Sequence, residues 1–199
     1  MTRWVTTAGG RSRGPAALAR AWLTVLARPR EFFRTAVAPG DQAPGLTFAM
    51  AVVLVEEATR LALVPGAIPS VPGGPPVGAA LALGVAALLV TPAALHLAAG
   101  LQTLLLLPLA DERGGVSETV QVVAYASAPC ALAGPAVPEL RLACTAYGAA
   151  LFGIGLAEVH GLGRRRAAVA GLVPASLVFG YGFRGFDALA TLLARWYVI

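Results

Sequence analysis

Between residues 45 and 183 the chain strings together apolar runs of about twenty residues, separated by short loops rich in proline, glycine and arginine. A helix needs about 20 mostly apolar residues to cross the ~30 Å hydrocarbon core of a bilayer. The chain is 57% hydrophobic and only 13% charged, which lies outside the composition of ordinary soluble domains. We therefore expect an all-α, polytopic membrane protein.

Five segments pass this length criterion and predict a bundle of five transmembrane helices. They lie near residues 45–64, 77–109, 120–137, 140–160 and 167–183. The second is longer than a bilayer is thick and contains Pro92 and Gly100, so it should tilt, kink or leave its end in the interface. Alternatively it splits in two, with a re-entrant hairpin around Gly100 that reverses the orientation of everything downstream.

The distribution of arginine favours five crossings over six. Positively charged residues in short loops stay on the cytoplasmic side of a membrane. Five crossings place eleven arginines inside, including the run 164–166, and leave only Arg141, Arg184 and Arg195 outside. A sixth crossing would move the run 164–166 outside. We therefore expect a multi-pass protein of the cell membrane with a cytoplasmic N-terminus and an external C-terminus.

Three segments flank the predicted spans. Residues 1–14 are polar and glycine-rich, which predicts disorder, and residues 186–199 predict a short C-terminal amphipathic helix. Residues 15–44 combine apolar residues such as Trp22 with several arginines, and Pro29 should begin a second short helix there. Such a segment is typical of a cytoplasmic amphipathic helix in the membrane interface. It serves either to dock a partner or only to fix the topology.

A charged cluster lies within the first predicted span. Glu56 and Glu57 are followed by Arg60, at helical spacings that allow an intrahelical ion pair. Charged groups at this depth are costly, so they face the interior of a bundle or line a functional site. One interpretation is a structural clasp with His96 of the second span as a further partner. The other is a proton or cation site.

The fourth predicted span carries a stripe of small residues at intervals of four: Ala149, Gly153, Ala157 and Gly161. Such stripes let helix backbones approach closely in a membrane, where lipid supplies no hydrophobic driving force. The partner of this stripe is either another span of the same molecule or a second copy of the chain, and the first is favoured.

Several chemical functions lack the residues they need. The Glu56–Glu57 pair resembles the paired glutamates of CAAX-type intramembrane metalloproteases, but the accompanying Phe and His pattern is absent around His96 and His160. The Cys and His residues do not form a metal-binding pattern, and no phosphate-binding glycine motif precedes a helix. The arginines concentrate at the ends of apolar spans, which argues for membrane topology and against nucleic acid. We therefore expect no enzyme activity and no cofactor.

Three short stretches resemble the Yip family, membrane proteins named for their interaction with Ypt/Rab GTPases. They cover residues 28–33, 123–129 and 155–161, and the family-like positions are Pro29, Phe32, Tyr125, Pro129, Glu158 and His160. The resemblance implies a compact five-helix membrane domain without known catalysis, associated in eukaryotic relatives with vesicle traffic and membrane shaping. The long acidic and aromatic cytoplasmic region of the trafficking members is missing, which argues against GTPase binding.

These observations favour a non-enzymatic membrane-organising or scaffold protein. Its expected partners are the lipid bilayer and either further copies of itself or other membrane proteins. The alternative is a small transporter or channel subunit that uses Glu56, Glu57, Arg60 and His96. The discontinuities at Pro92 and Gly100 support that alternative, because broken helices are common at transport sites.

Overall fold

The computed structural model describes residues 14–110 and 113–197, and within these ranges the chain is helical and contains no strand. Of the predicted disordered segment 1–14, residues 1–13 lie outside the described residues. The helices are α1 (Pro15–Ala27), α2 (Pro29–Ala36), α3 (Ala43–Leu63), α4 (Gly74–Leu106), α5 (Val116–Ala126), α6 (Pro138–Val159), α7 (Arg164–Gly182) and α8 (Gly185–Arg195).

Two of these helices, α4 and α6, are long and apolar enough by themselves to cross a membrane. A third span is added if α7 and α8, which meet at a bend of 72°, form one broken span. Helix α3 has 21 residues but carries three charges, and α5 has only 11 residues. The fold is therefore helical and of membrane type, whereas the count of five crossings stays a prediction.

The long second segment forms one continuous helix of 33 residues, about 50 Å in length. Gly100 lies inside α4, so the hairpin alternative is wrong. The irregularity lies earlier, where residues Val85–Val90 adopt π-helical geometry just before Pro92. There the hydroxyl of Thr91 donates a hydrogen bond to the carbonyl of Ala86 at 2.7 Å. The same carbonyl also accepts the backbone N–H of Thr91, so both donors of Thr91 close this wider turn just before Pro92.

The third predicted span, residues 120–137, is wrong as a single helix. Helix α5 ends at Ala126, a 3-10 turn covers Ala128–Leu132, and residues 133–137 are not helical. Pro129 lacks an N–H and disfavours α-helical geometry in the residue before it. The hydroxyl of Ser127 donates to the carbonyl of Ala124 at 2.7 Å, in place of the helical partner. Hydropathy alone did not reveal this break, because every residue across it except Ser127 is apolar.

The N-terminal helices pack along the side of the bundle. The indole N–H of Trp22 donates to the carbonyl of Ala128 at 2.7 Å, and the hydroxyl of Tyr147 donates to the carbonyl of Leu26 at 2.5 Å. Pro29 occupies the first turn of α2, as predicted. These bonds connect α1 to the 3-10 turn and to α6. Placement of this segment in the membrane interface stays a prediction.

The small-residue stripe on α6 is not a close contact within the molecule. A Cβ atom added at Gly153 would meet nothing within 4 Å. Gly161 lies after the end of α6 with φ of +64°, and the N–H of Leu162 bonds to the carbonyl of Ala157 at 3.1 Å. Gly161 therefore terminates the helix, in the conformation that glycine adopts most easily. The favoured intramolecular role of the stripe is wrong at these two positions.

A different pair of glycines provides the close approach on α6. A Cβ at Gly148 would lie 2.5 Å from the ring of Phe179, and one at Gly155 would lie 2.7 Å from Val122. Both distances are far below normal van der Waals contact. Gly148 and Gly155 are seven residues apart and so lie on one helix face. This face, and not the face of Gly153, packs against α5 and α7.

Candidate functional site

Four charged side chains form a paired-charge cluster: Glu56, Glu57, Arg60 and Arg184. Glu57 and Arg60 make the expected intrahelical pair, in which Nε of Arg60 donates to Oε2 of Glu57 at 2.7 Å. Glu56 is only 4% exposed and pairs with the guanidinium of Arg184, which lies 128 positions later in the chain. Each carboxylate therefore has its own arginine, and one of the two pairs connects distant parts of the fold.

Arg184 is held at the junction between α7 and α8. Its backbone has φ of 59°, which non-glycine residues seldom adopt, and its N–H bonds to the carbonyl of Tyr181 at 3.1 Å. The charge pattern predicts Arg184 only as one of the external arginines and does not reveal its pairing with Glu56. A signal was present, since Arg184 is a single charge between Gly182 and Gly185 in an otherwise apolar stretch.

His96 does not belong to the paired-charge cluster. Its side chain is exposed, and its Nδ1 lies 2.7 Å from the carbonyl oxygen of Pro92 on the preceding turn. The neighbouring Leu95 is buried, and adjacent residues on a helix point about 100° apart. His96 therefore points away from the packed face of α4. The expectation that His96 is a partner of the two glutamates is wrong.

The other arginines predicted to be external lie at the same end of the bundle as the paired-charge cluster. Arg141 donates to the carbonyls of Ala133 and Pro135 at 3.1 Å, which fixes the non-helical segment after the 3-10 turn. Arg195 pairs with Glu139 at 2.5 Å. Arg141, Arg184 and Arg195 therefore lie at the same end of the bundle.

A cavity of about 580 Å³ lies beside the paired-charge cluster, between α3, α4 and α7. Glu56, Glu57, Arg60 and Arg184 line its polar part, and aliphatic side chains line the rest. Both π-helical segments, Val85–Val90 and Ser176–Gly182, contribute residues to its wall. The arrangement is an apolar chamber with charges of both signs at one end.

A second group of charges lies at the opposite end of α6. Oε2 of Glu158 is 3.0 Å from Nε of Arg34, and Oε1 is 3.8 Å from Nε of Arg30. These ion pairs connect α2 to the end of α6. Arg164 and Arg30 line one groove with Glu158, so this end gathers arginines that were predicted to be cytoplasmic. We call Arg30, Arg34 and Glu158 the Glu158 cluster.

The family-like residues from separate stretches of the chain meet in the fold. Phe32 of α2 and Tyr125 of α5 are fully buried, with ring centroids 4.9 Å apart, and the ring of Phe48 of α3 also lies 5.2 Å from that of Tyr125. Edge-to-face aromatic pairs at these distances stabilise a core beyond simple burial. Pro129, also buried, forms part of the 3-10 turn that ends this region.

His160, another family-like residue, directly follows the last residue of α6. It is almost fully buried, and its Nε2 lies 3.4 Å from the hydroxyl of Thr119 on α5. The buried His160 ring between α5 and α6 is therefore a packing element.

The described residues offer no metal-binding chemistry. Among residues 14–110 and 113–197, no group of three or more His, Cys, Asp or Glu side chains is arranged to hold a metal ion. Cys130 and Cys144 are both buried free thiols. The candidate site is therefore the paired-charge cluster with its cavity.

Comparison with known families finds one matching model, described as the Yip1 domain, over residues 23–183. The match begins within α1 and ends one residue before Arg184, and it includes all six family-like positions. Searches of curated proteins and of solved structures gave no match.

Proposed function

Because the chain belongs to the Yip1-domain family of membrane proteins, we propose that it is a non-enzymatic scaffold that organises the membrane around it. Proteins of this family are generally non-enzymatic and are associated with membranes and Rab GTPases. The specific role proposed here is membrane organisation, with the lipid bilayer and other copies or other membrane proteins as partners. GTPase binding is left out of this proposed function.

The pairing of the charges within the bundle is the observation that supports a scaffold best. Glu56 and Glu57 each hold an arginine, and Arg184 connects α3 to the junction of α7 and α8. Charged residues with fixed partners contribute to the specificity of helix packing. The family-like residues also hold helices together, since Phe32 of α2 contacts Tyr125 of α5, and Tyr125 contacts Phe48 of α3.

The proposal includes the predicted orientation in the membrane. The Glu158 cluster and Arg164 gather at one end of the bundle, and Arg141, Arg184 and Arg195 gather at the other. The first end carries the arginines that the positive-inside rule assigns to the cytoplasm. Helices α3 and α5, the latter with its 3-10 turn, would complete the five crossings.

A transporter or channel subunit is the second candidate, and the cavity favours it. Two π-helical segments border a chamber that contains charged groups, and such irregular helices are frequent at functional sites. A proton or cation carrier, however, needs a carboxylate that can exchange its partner. Both carboxylates here are engaged by guanidinium groups, so we rank this function second.

Purified protein in liposomes separates the two functions. We expect no proton or sodium uptake above that of empty vesicles, measured with entrapped fluorescent indicators. We also expect protein-containing vesicles to differ from empty ones in diameter and shape by electron cryomicroscopy.

A variant with Glu56→Gln and Arg184→Gln is the matched control, since it removes both charges of one pair and keeps the net charge. Uptake by the wild type that this variant abolishes would establish the transporter. Vesicles indistinguishable from empty ones would contradict the scaffold.

A further inference from the structure

We infer that the cavity beside the paired-charge cluster binds a zwitterionic phospholipid with a primary ammonium group, of the phosphatidylethanolamine type. Its headgroup would lie on the paired charges, and part of an acyl chain would lie along the aliphatic wall. The cavity volume of about 580 Å³ is within the usual range for small-molecule sites. The inference goes beyond the scaffold function and does not depend on it.

The mouth of the cavity opens on the apolar outer surface of the bundle. Val90, Leu97 and Leu177 line the cavity and are 53%, 75% and 46% exposed. In a membrane protein, exposed aliphatic side chains of this kind face lipid tails. A ligand that enters here comes sideways from the bilayer, so a lipid already lies at the entrance.

The charges inside the cavity match a zwitterionic headgroup. Glu56, Glu57 and Arg60 lie on successive turns of α3, and Arg184 reaches Glu56 from the junction of α7 and α8. The two carboxylates and two guanidinium groups together have no net charge. Guanidinium groups bind phosphate through several N–H donors, and carboxylates accept hydrogen bonds from an ammonium group. A lipid with a net negative charge and no ammonium group would bind the guanidinium groups through its phosphate, but it would offer nothing to the carboxylates.

One donor in the cluster has no acceptor within the protein. The Nε–H of Arg184 is buried and has no acceptor among the residues that the structure describes. A buried donor without an acceptor is costly and calls for a bound group. The nearby hydroxyls of Thr91 and Ser127 already donate to backbone carbonyls, so they do not fill this role.

The same geometry distinguishes ethanolamine from choline headgroups. A primary ammonium carries three N–H donors, which Glu56 and Glu57 can accept through lone pairs that their guanidinium partners leave unused, whereas a quaternary choline nitrogen carries none. Loss of such charge-assisted hydrogen bonds weakens binding by about tenfold. The site should therefore prefer phosphatidylethanolamine over both phosphatidylcholine and phosphatidylglycerol.

The test measures which lipid stays bound. The full chain is placed in nanodiscs containing equal amounts of phosphatidylethanolamine, phosphatidylcholine and phosphatidylglycerol, released into mild detergent, and examined by native mass spectrometry. We expect phosphatidylethanolamine adducts to exceed each of the other two by about tenfold.

Two neighbouring alanines on α4 provide a matched pair of variants. Ala93 and Ala94 are both exposed, but only Ala94 lines the cavity. Ala94→Phe should place a ring in the cavity, obstruct the lipid and remove the lipid preference, whereas Ala93→Phe should retain it. Because neither position is in the core, both variants should fold.

A third variant tests the headgroup. Glu57→Gln removes one carboxylate and should reduce the preference for phosphatidylethanolamine over phosphatidylcholine. Equal retention of the three lipids, or an unchanged preference in Ala94→Phe, would overturn the inference. A preference for phosphatidylglycerol that Ala94→Phe abolishes would overturn the zwitterionic assignment. None of these results bears on the scaffold function, which the liposome experiment tests separately.

Discussion

Replacing Arg184 with glutamine is expected to lower the free energy of unfolding by about 3 kcal/mol. This is the low end of the range for removing one partner of a buried ion pair. We choose the low end because the side chain of Arg184 remains 30% exposed and water screens part of the interaction. The reason for the loss is Glu56, which would stay buried at 4% exposure without its guanidinium partner. Thermal unfolding in detergent measures the effect.

Two controls make this prediction specific. Arg195→Gln breaks the pair with Glu139, in which both side chains are 54% exposed, and should cost less than about 1 kcal/mol. The double variant of Glu56→Gln and Arg184→Gln should recover much of the loss, because no buried charge is left unpaired. If Arg184→Gln is as mild as Arg195→Gln, the pairing of Glu56 with Arg184 does not hold the fold.

Replacing Gly155 with leucine is expected to lower the yield of folded protein severely. A Cβ atom at this position would lie 2.7 Å from Val122 on α5 and 3.0 Å from the ring of Phe33 on α2. Overpacking of a close contact usually costs about 1–3 kcal/mol, and a full leucine adds three more carbons to the clash. Folded yield and thermal stability in detergent are the measurements.

Gly153→Leu, two residues away on the same helix, is the control. It points into open space and should leave the stability of the single molecule unchanged. A change in oligomer size in this variant would support the remaining role of the stripe, contact with a second copy. If Gly153→Leu destabilises the protein as much as Gly155→Leu does, then the packed face of α6 has been misidentified.

The apolar runs predicted the helices where length and hydropathy decide the outcome. The predicted segment 140–160 corresponds to Pro138–Val159, and 167–183 corresponds to Arg164–Gly182. In these segments proline or glycine near the ends provides the boundary, and such signals are local. The third segment was different, because a single proline at position 129 interrupts an apolar run that hydropathy reads as continuous.

The pairing of charges could be predicted only where it is local. Spacing in the sequence predicts the pair of Glu57 and Arg60, because residues three apart are neighbours on a helix. The partner of Glu56 is fixed by the way α7 returns to α3, and no spacing rule relates residues so distant along the chain.

The packed face of α6 could not be predicted from the small-residue stripe for a similar reason. In a chain with 23 glycines, a repeat of small residues does not reveal which face is packed.

The orientation of the bundle in the membrane determines which of the two charge clusters faces the cytoplasm. We propose that the Glu158 cluster faces the cytoplasm and that the paired-charge cluster lies toward the external side. Reporter fusions that are active on only one side of the membrane measure this directly. A fusion after Arg166 should read as cytoplasmic, and fusions at Gly73 and at the C-terminus should read as external. An external signal after Arg166 would contradict the five-span arrangement and, with it, the assignment of the two ends of the bundle.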